Sequence, residues 1–279
     1  MLSILSYGFM LRALLVGLLI ASVCATLGVF LILRRDAMVG HGLAHLTFGG
    51  VALGLFLHIQ PMITALGAAV LSAFGIIKLR EKAGLYEDTA IGILSSVGMA
   101  AGVILASMAQ GFNVSLMSYL FGNILAIAPS ELWISVILAG AVFIIIILFY
   151  QELLFVTFDA ESARSSGIAV SRLETILAVL TAVTAVLGMK VVGLLLVAAL
   201  LVIPSAAGLQ VARNFRQAIG VAILIAAISV ILGLCISFFW DIPASGSIIL
   251  LASLFFIISL AARRLMAGFA RPVNPVQKE

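Results

Sequence analysis

Long apolar stretches separated by short charged segments dominate the 279-residue sequence. Because about 20 apolar residues cross the hydrocarbon core of a bilayer, most of these stretches predict one membrane-spanning helix each. The stretch between residues 36 and 78 is long enough for two spans, divided near residues 58–61. The pattern therefore predicts an all-α polytopic membrane protein with eight or nine transmembrane helices. The uncharged runs lie between residues 12 and 34, 36 and 78, 88 and 131, 131 and 152, 174 and 190, 190 and 213, 216 and 241, and 241 and 263.

Two parts of the chain depart from this regular pattern. Residues 110–130 mix glycine, asparagine and proline with apolar residues, which favours a short re-entrant or interfacial helix over a full crossing. Only the 15 uncharged residues 175–189 separate Glu174 from Lys190. We therefore expect that helix to be tilted or broken, or Lys190 to extend toward the membrane surface.

The distribution of lysine and arginine predicts the orientation. If Arg34 and Arg35 lie at the cytoplasmic end of the first span, only Arg12 and Lys190 of the 15 basic residues fall on the other side. Because cytoplasmic loops of membrane proteins are enriched in basic residues, we expect the amino terminus outside and the carboxyl terminus in the cytoplasm. Residues 1–264 then form one transmembrane domain, with residues 151–172 as its longest cytoplasmic loop. Residues 265–279 form a cytoplasmic tail.

Composition supports a membrane location and excludes several kinds of function. Of all residues, 64% are hydrophobic and 9% are charged, whereas a soluble domain carries about 25% charged residues. The net charge of +4 comes from basic residues between the apolar runs, so no nucleic-acid partner is expected. No Gly-x-x-x-x-Gly-Lys-Ser/Thr or His-Glu-x-x-His motif occurs, so any ATP hydrolysis requires another subunit. We expect a transport subunit rather than an enzyme, without a permanently bound cofactor.

Two histidines in the second span are the best candidates for a functional site. His41 and His45 are four residues apart, which places them on one face of a helix. At 1.5 Å per residue they lie roughly 8 Å and 14 Å beyond Asp36, near the middle of a hydrocarbon core about 30 Å thick. Ionisable residues at that depth are rare and usually functional. Because two imidazoles at this spacing can bind one ion, the pair predicts a site for a transported divalent metal, and neutral imidazole suits zinc.

Other interpretations of these residues stay open. The two histidines could instead form hydrogen bonds to neighbouring helices. His58, at the outer end of the same helix, is either incidental or a first ligand for the incoming ion. A metal carrier driven by an ion gradient would need acidic residues in mid-membrane, and a membrane-embedded enzyme would need a nucleophile and a base at matching depth. Neither arrangement is found in the apolar runs.

Several motifs together resemble the membrane permease subunits of ABC transporters that import zinc, manganese or iron. The resemblance covers roughly residues 9–264, and its specificity comes from the motifs taken as a set. They are Gly40-His41-Gly42-Leu43-Ala44-His45, Gly49-Gly50-Val51-Ala52-Leu53-Gly54, Asp88-Thr89-Ala90-Ile91-Gly92, Tyr119-Leu120-Phe121-Gly122-Asn123-Ile124-Leu125, Met189-Lys190-Val191-Val192-Gly193-Leu194-Leu195 and Ala199-Leu200-Leu201-Val202-Ile203-Pro204-Ser205-Ala206-Ala207.

The resemblance implies partners and roles for particular residues. It implies a homodimer of permeases bound to two cytoplasmic ATP-binding subunits, and a separate extracytoplasmic protein that delivers the metal ion. His45 corresponds to a metal-lining histidine of the family. Residues 158–167, here called the coupling segment, correspond to the part that docks on the ATP-binding subunits. The positions matched to that contact are Asp159, Ala160, Glu161, Ala163 and Gly167.

Two departures from the family pattern change the predicted chemistry. Family members commonly have Gly-Asp where this chain has Gly40-His41, so an imidazole replaces a hard carboxylate and the site becomes neutral and softer. Asn123 stands where an aspartate is frequent, which argues against a charged role there. We therefore expect import of divalent transition-metal ions, zinc in particular, by alternating access in a homodimer. Manganese or iron import by the same kind of protein is the alternative.

Overall fold

The computed structural model describes residues 8–84, 87–108, 119, 122 and 129–269, and the elements within them are helices. Most of them are long helices of about 20 residues or more, joined by short connections. The helices are α1 (Gly8–Leu33), α2 (Ala37–Phe56), α3 (Pro61–Ala83), α4 (Glu87–Met108), α5 (Pro129–Leu148), α6 (Tyr150–Phe158), α7 (Ala160–Ser165), α8 (Val170–Val191), α9 (Leu194–Val211), α10 (Phe215–Trp240) and α11 (Ala244–Phe269).

The number of spans agrees with the sequence pattern. Among the described residues, 8 helices are long and apolar enough to cross a membrane, namely α1–α4 and α8–α11. A ninth is obtained if α5 and α6 are taken together, although the chain bends by 68° between them. The prediction of an all-helical membrane protein with eight or nine spans is confirmed. The expected re-entrant helix at residues 110–130 lies almost entirely outside the described residues.

Several helix boundaries follow from local sequence. The second apolar run divides as predicted, because α2 ends at Phe56 and α3 begins with Pro61, whose missing N–H costs nothing at a helix start. The span containing Glu174 is continuous rather than broken. Helix α8 begins at Val170, so it includes a full turn before Glu174 in addition to the uncharged residues that follow it. Helix α11 continues to Phe269, so residues 265–269 of the predicted tail extend the last helix.

Two clusters of buried apolar side chains form the interior. The first is built on α1, with contributions from α5, α8, α9 and α10. The second is built on α2, with contributions from α3, α4, α8 and the first residue of α9, Leu194. Helix α8 supplies residues to both clusters, for example Leu177 to the first and Val186 to the second. The protein is thus organised as two groups of helices, which are joined by α8 and by the start of α9.

Helices α1 and α9 cross at very short range. A Cβ atom at Gly28 would overlap the carbonyl oxygen of Leu201. Beside that contact the hydroxyl of Ser205 donates a hydrogen bond to the carbonyl oxygen of Ala25, at 3.0 Å. Small residues permit such approach between membrane helices, where packing and hydrogen bonds replace the hydrophobic effect as the source of association. The contact fixes α9 firmly against α1.

Replacing Gly28 with alanine should therefore destabilise the protein. The added methyl group meets backbone rather than a movable side chain, so the two helices must separate, at a cost of about 1–3 kcal/mol. The thermal unfolding midpoint in detergent should fall clearly. Gly220→Ala in α10 is the matched control, because no atom lies within 4 Å of its added Cβ. Equal midpoints for the two variants would contradict the proposed tight crossing.

Candidate metal site and coupling segment

The two histidines of α2 converge on each other. His41 and His45 are the fifth and ninth residues of the helix, and their Nε2 atoms lie 3.0 Å apart. The ring centroids are 4.5 Å apart and the ring planes are nearly perpendicular, at 89°. Without an ion, this geometry is a hydrogen bond in which one Nε2–H donates to the other Nε2. With both nitrogens unprotonated, the two Nε2 atoms are close enough together to contact a single cation.

The separation of the two nitrogens suits a metal ion. Zinc binds imidazole nitrogen at about 2.0–2.1 Å with tetrahedral angles, which places neighbouring nitrogens about 3.3 Å apart. The observed 3.0 Å between the Nε2 atoms is close to that value, and rotation of the two rings would turn their lone pairs toward a shared ion. Two histidines separated by one helical turn can therefore bind one ion without a change in the backbone of α2.

The imidazoles line a cavity of about 350 Å³ between α2 and α9. His41 is exposed to this space, whereas His45 is half-buried and its Nδ1 has no hydrogen-bond partner among the described residues. The other lining residues are apolar, so the histidines provide the polar groups of the wall. These apolar residues are Ala37, Met38 and Ala44 from α2 and Leu194, Leu195, Ala198, Ala199 and Val202 from α9.

The described part of this chain does not complete a metal coordination shell. No group of three or more histidine, cysteine or acidic side chains capable of holding a metal ion occurs among the described residues. His58 does not join the pair, because it lies beyond the opposite end of α2 in an exposed left-handed turn with a φ of 55°. A tetrahedral zinc site needs four ligands, so at least two must come from elsewhere.

A buried cluster of charges lies next to the first turn of α2. Asp36, in the N-cap position, does not cap the helix through its side chain, and its Oδ2 pairs with Arg34 Nε at 3.2 Å. Arg34 Nη2 also pairs with Glu174 Oε1 at 2.6 Å, and Glu174 Oε2 pairs with Arg80 Nη2 at 2.8 Å. Sequence reasoning treated these charges only as markers of membrane boundaries. Arg34 and Asp36 are neighbours in sequence, but Glu174 lies 140 positions from Arg34 and 94 from Arg80, so no local spacing could have indicated these contacts.

The coupling segment is a short capped helix rather than an open loop. Asp159 lies between α6 and α7, and its carboxylate accepts hydrogen bonds from the backbone N–H and the hydroxyl of Ser162, at 2.9 Å and 2.6 Å. These bonds lower the pKa of Asp159 below its ordinary value. Ala163 is fully buried against the α1 cluster, while Glu161 is exposed. Gly167, with a φ of 84°, ends the segment in the left-handed conformation that glycine favours.

The fold is that of a multi-pass membrane protein, and comparison with known proteins identifies its family. The model of the ABC 3 transport family matches residues 6–263. The high-affinity zinc uptake system membrane protein ZnuB of Haemophilus influenzae is 36% identical over 251 residues, which cover 90% of this chain and 96% of that protein. The manganese transport system membrane protein MntC of Halalkalibacterium halodurans is 32% identical over 256 residues, which cover 92% and 88%.

A solved structure gives the same result. The structure of PsaBC from Streptococcus pneumoniae in complex with a Fab matches 93% of this chain and 96% of the matching chain, with a TM-score of 0.83 and 31% identity. The chain belongs to the ABC 3 transport family, and it is a membrane permease of the metal-transporting kind. The resemblance inferred from the motifs is confirmed.

Removing the cap should loosen α7. Asp159→Ala removes the acceptor for the Ser162 N–H, so amide hydrogen exchange across Ala160–Ser165 should accelerate, whereas Asp159→Asn should retain most of the protection. Because folding lowers the pKa of Asp159, its contribution to stability is present above the ordinary pKa of the carboxyl and is lost as pH falls through the folded value. Unchanged exchange in Asp159→Ala would show that the cap does not hold the segment.

Proposed function

We propose that this chain is the permease subunit of an ATP-driven importer of divalent transition-metal ions, with zinc as the favoured ion. The observation that carries the proposal is the 3.0 Å separation of the His41 and His45 Nε2 atoms on the wall of a cavity of about 350 Å³. Each water occupies about 30 Å³ in the liquid, so the cavity has room for an ion and several remaining waters. The ion exchanges part of its hydration for imidazole as it passes.

The nature of the ligands supports zinc. Both ligands are neutral imidazoles, which bind zinc well, whereas manganese prefers carboxylate and carbonyl oxygen. The names of the two relatives do not decide between these metals, because one is assigned to zinc and the other to manganese at similar identity. Import of manganese or iron by the same site is the alternative, and it predicts that an oxygen ligand from elsewhere joins the histidines.

The incomplete ligand shell supports action as a homodimer. Met38 and Leu195, on the cavity wall, are 51% and 42% exposed, so the cavity is open at the surface of the chain. A second copy of the chain would cover such side chains and supply further ligands, with waters or another helix completing the shell. Alternating access then follows if the two copies move relative to each other, opening the site first to the outside and then to the cytoplasm.

ATP-binding subunits and an extracytoplasmic metal-binding protein complete the proposed importer. The coupling segment suits contact with an ATP-binding subunit, because Ala163 holds it on the helical core while the side chain of Glu161 stays exposed. The residues assigned to this contact are Asp159, Ala160, Glu161, Ala163 and Gly167. A carrier driven by an ion gradient is the competing hypothesis, and it predicts uptake without ATP.

Replacing His45 with alanine should abolish zinc uptake. The variant loses one of the two converging nitrogens, so ATP-dependent uptake of radioactive zinc by proteoliposomes containing the whole transporter should fall to background. His58→Ala is the matched control and should retain most of the activity, because its side chain lies away from the cavity. Wild-type rates in His45→Ala would exclude a ligand role, and uptake by the wild type without ATP would favour the gradient-driven carrier.

Changing His41 to aspartate should alter the choice of metal. A carboxylate gives the site a hard, negatively charged ligand, so competition between zinc and manganese for uptake should shift toward manganese by about tenfold or more. His41→Asn is the matched control, because it provides an uncharged oxygen of similar size and should weaken zinc uptake without a comparable gain in manganese. An unchanged zinc preference in His41→Asp would mean that other ligands determine selectivity.

A further inference from the structure

The charge cluster joins three parts of the chain that are separate in sequence. Arg34 and Asp36 lie between α1 and α2, Arg80 lies in the last turn of α3, and Glu174 belongs to the second turn of α8. The side chains of Arg34, Asp36 and Glu174 are 7%, 8% and 12% exposed. Each oxygen of Glu174 binds a different arginine, so this one carboxylate ties α8 both to the corner between α1 and α2 and to Arg80 at the end of α3. Residues 34–36 are called the α1–α2 corner below.

Stability alone is a weak explanation for such a cluster. Removing two charges from water costs several kcal/mol, and buried ion pairs are often no better for stability than apolar residues of similar size. The cluster also has unused hydrogen-bonding groups, because Arg34 Nη1 and Asp36 Oδ1 are buried and have no hydrogen-bond partner among the described residues. A donor and an acceptor without partners permit a second arrangement of the same ions, which a moving part requires.

Two routes lead from the coupling segment to the α1–α2 corner. Along the chain, α8 begins three residues after Gly167 and contains Glu174, which forms an ion pair with Arg34. Through side chains, the ring centroid of Phe158 lies 6.0 Å from that of Phe215, which in turn lies 5.0 Å from that of Phe30. Phe30 is fully buried in the last turn of α1, just before the corner. A displacement of the coupling segment therefore reaches the corner by both routes.

From the corner, a stiff helix leads to the histidines. The Asp36 carbonyl oxygen accepts a hydrogen bond from Val39 N–H at 3.0 Å, and His41 follows two residues later in the same helix. The opposite wall of the cavity, α9, is fixed to α1 by the contact between Gly28 and Leu201. Shifts of helices by about 1–2 Å are common in allosteric transitions, and a shift of α2 of that size would move both imidazoles relative to α9.

We propose that Glu174 is a positioning residue that transmits the state of the ATP-binding subunits from the coupling segment to the His41/His45 site. This inference rests on the proposed function for the presence of those subunits, and it adds the route by which they act. In this scheme the Glu174–Arg34 pair moves the α1–α2 corner with α8, and Asp36 passes the movement to α2. His41 and His45 move together with α2 in this scheme.

The test uses the assembled transporter in nanodiscs and follows the cavity wall directly. Met38, which is 51% exposed on that wall, is replaced by cysteine, and its alkylation rate is measured with and without ATP and vanadate. The signal of the chain without the added cysteine is subtracted. Glu174→Gln keeps the size of the side chain but removes its charge. It should reduce the ATP-dependent change at residue 38 about tenfold, a typical coupling effect, while ATP hydrolysis stays within about twofold.

Three further variants separate transmission from a purely structural role. Asp36→Asn should reproduce the effect of Glu174→Gln, and it decides the question if Glu174→Gln does not assemble. Glu174→Asp, which retains the charge, should restore part of the response. Asp241→Asn, which removes an exposed carboxylate in the turn between α10 and α11, should leave the response unchanged.

The outcomes distinguish this inference from the proposed function. A full ATP-dependent change in assembled Glu174→Gln or Asp36→Asn, or no change in the wild type, would overturn the proposed transmission. A proportional loss of hydrolysis and response would assign the cluster a structural role only. Because alkylation needs no zinc, a wild type that hydrolyses ATP and responds at residue 38 but takes up no zinc would refute the proposed ion and leave the transmission intact.

Discussion

The free-energy cost of placing an ionisable group away from water determines what can be inferred from this structure. Such a group persists only where hydrogen bonds, an opposite charge or a bound ion compensates for its lost hydration. Two sets of ionisable side chains in and beside α2 meet this condition in different ways. Arg34, Asp36, Arg80 and Glu174 compensate one another, whereas the imidazoles of His41 and His45 face a cavity. The first set suits a mechanical role and the second a role in binding.

The packing of α2 explains why these two sets can act together. On one side, glycines bring the helix close to its neighbours, with Gly50 against Ala65 of α3 and Gly49 against Gly98 of α4. On the other side lies the cavity, next to which α2 contacts α9 where Gly40 faces the side chain of Leu201. Because interiors with this kind of packing move as units rather than deform, α2 is expected to move together with α3 and α4. The histidines are on the boundary of that unit, where a small displacement changes the site most.

The sequence allowed the spans and the histidine pair to be predicted, but not their surroundings. Membrane spans can be predicted from sequence because the bilayer requires a similar length and an apolar surface of every spanning helix. The pairing of His41 and His45 can be predicted because the two residues are one helical turn apart. By contrast, no proline or glycine lies within residues 141–158 to indicate the 68° bend before Tyr150, and the cavity depends on the long-range approach of α9. The contact between Arg34 and Glu174 joins residues that are 140 positions apart, which no local pattern can indicate.

The proposed pair of imidazole ligands has a consequence for any ion that uses this cavity. A carboxylate would neutralise part of the charge of a divalent cation. Imidazoles such as those of His41 and His45 do not neutralise it, and in an apolar environment electrostatic effects are strong. Such a site attracts a cation only through direct bonds from nitrogen, so it discriminates by the strength of those bonds rather than by charge. Passage through a membrane requires binding that is favourable enough for the ion to enter and weak enough for it to leave. In the proposed zinc site, imidazole nitrogens meet both requirements. Their bonds hold the ion, and no negatively charged side chain retains it once the ligands separate.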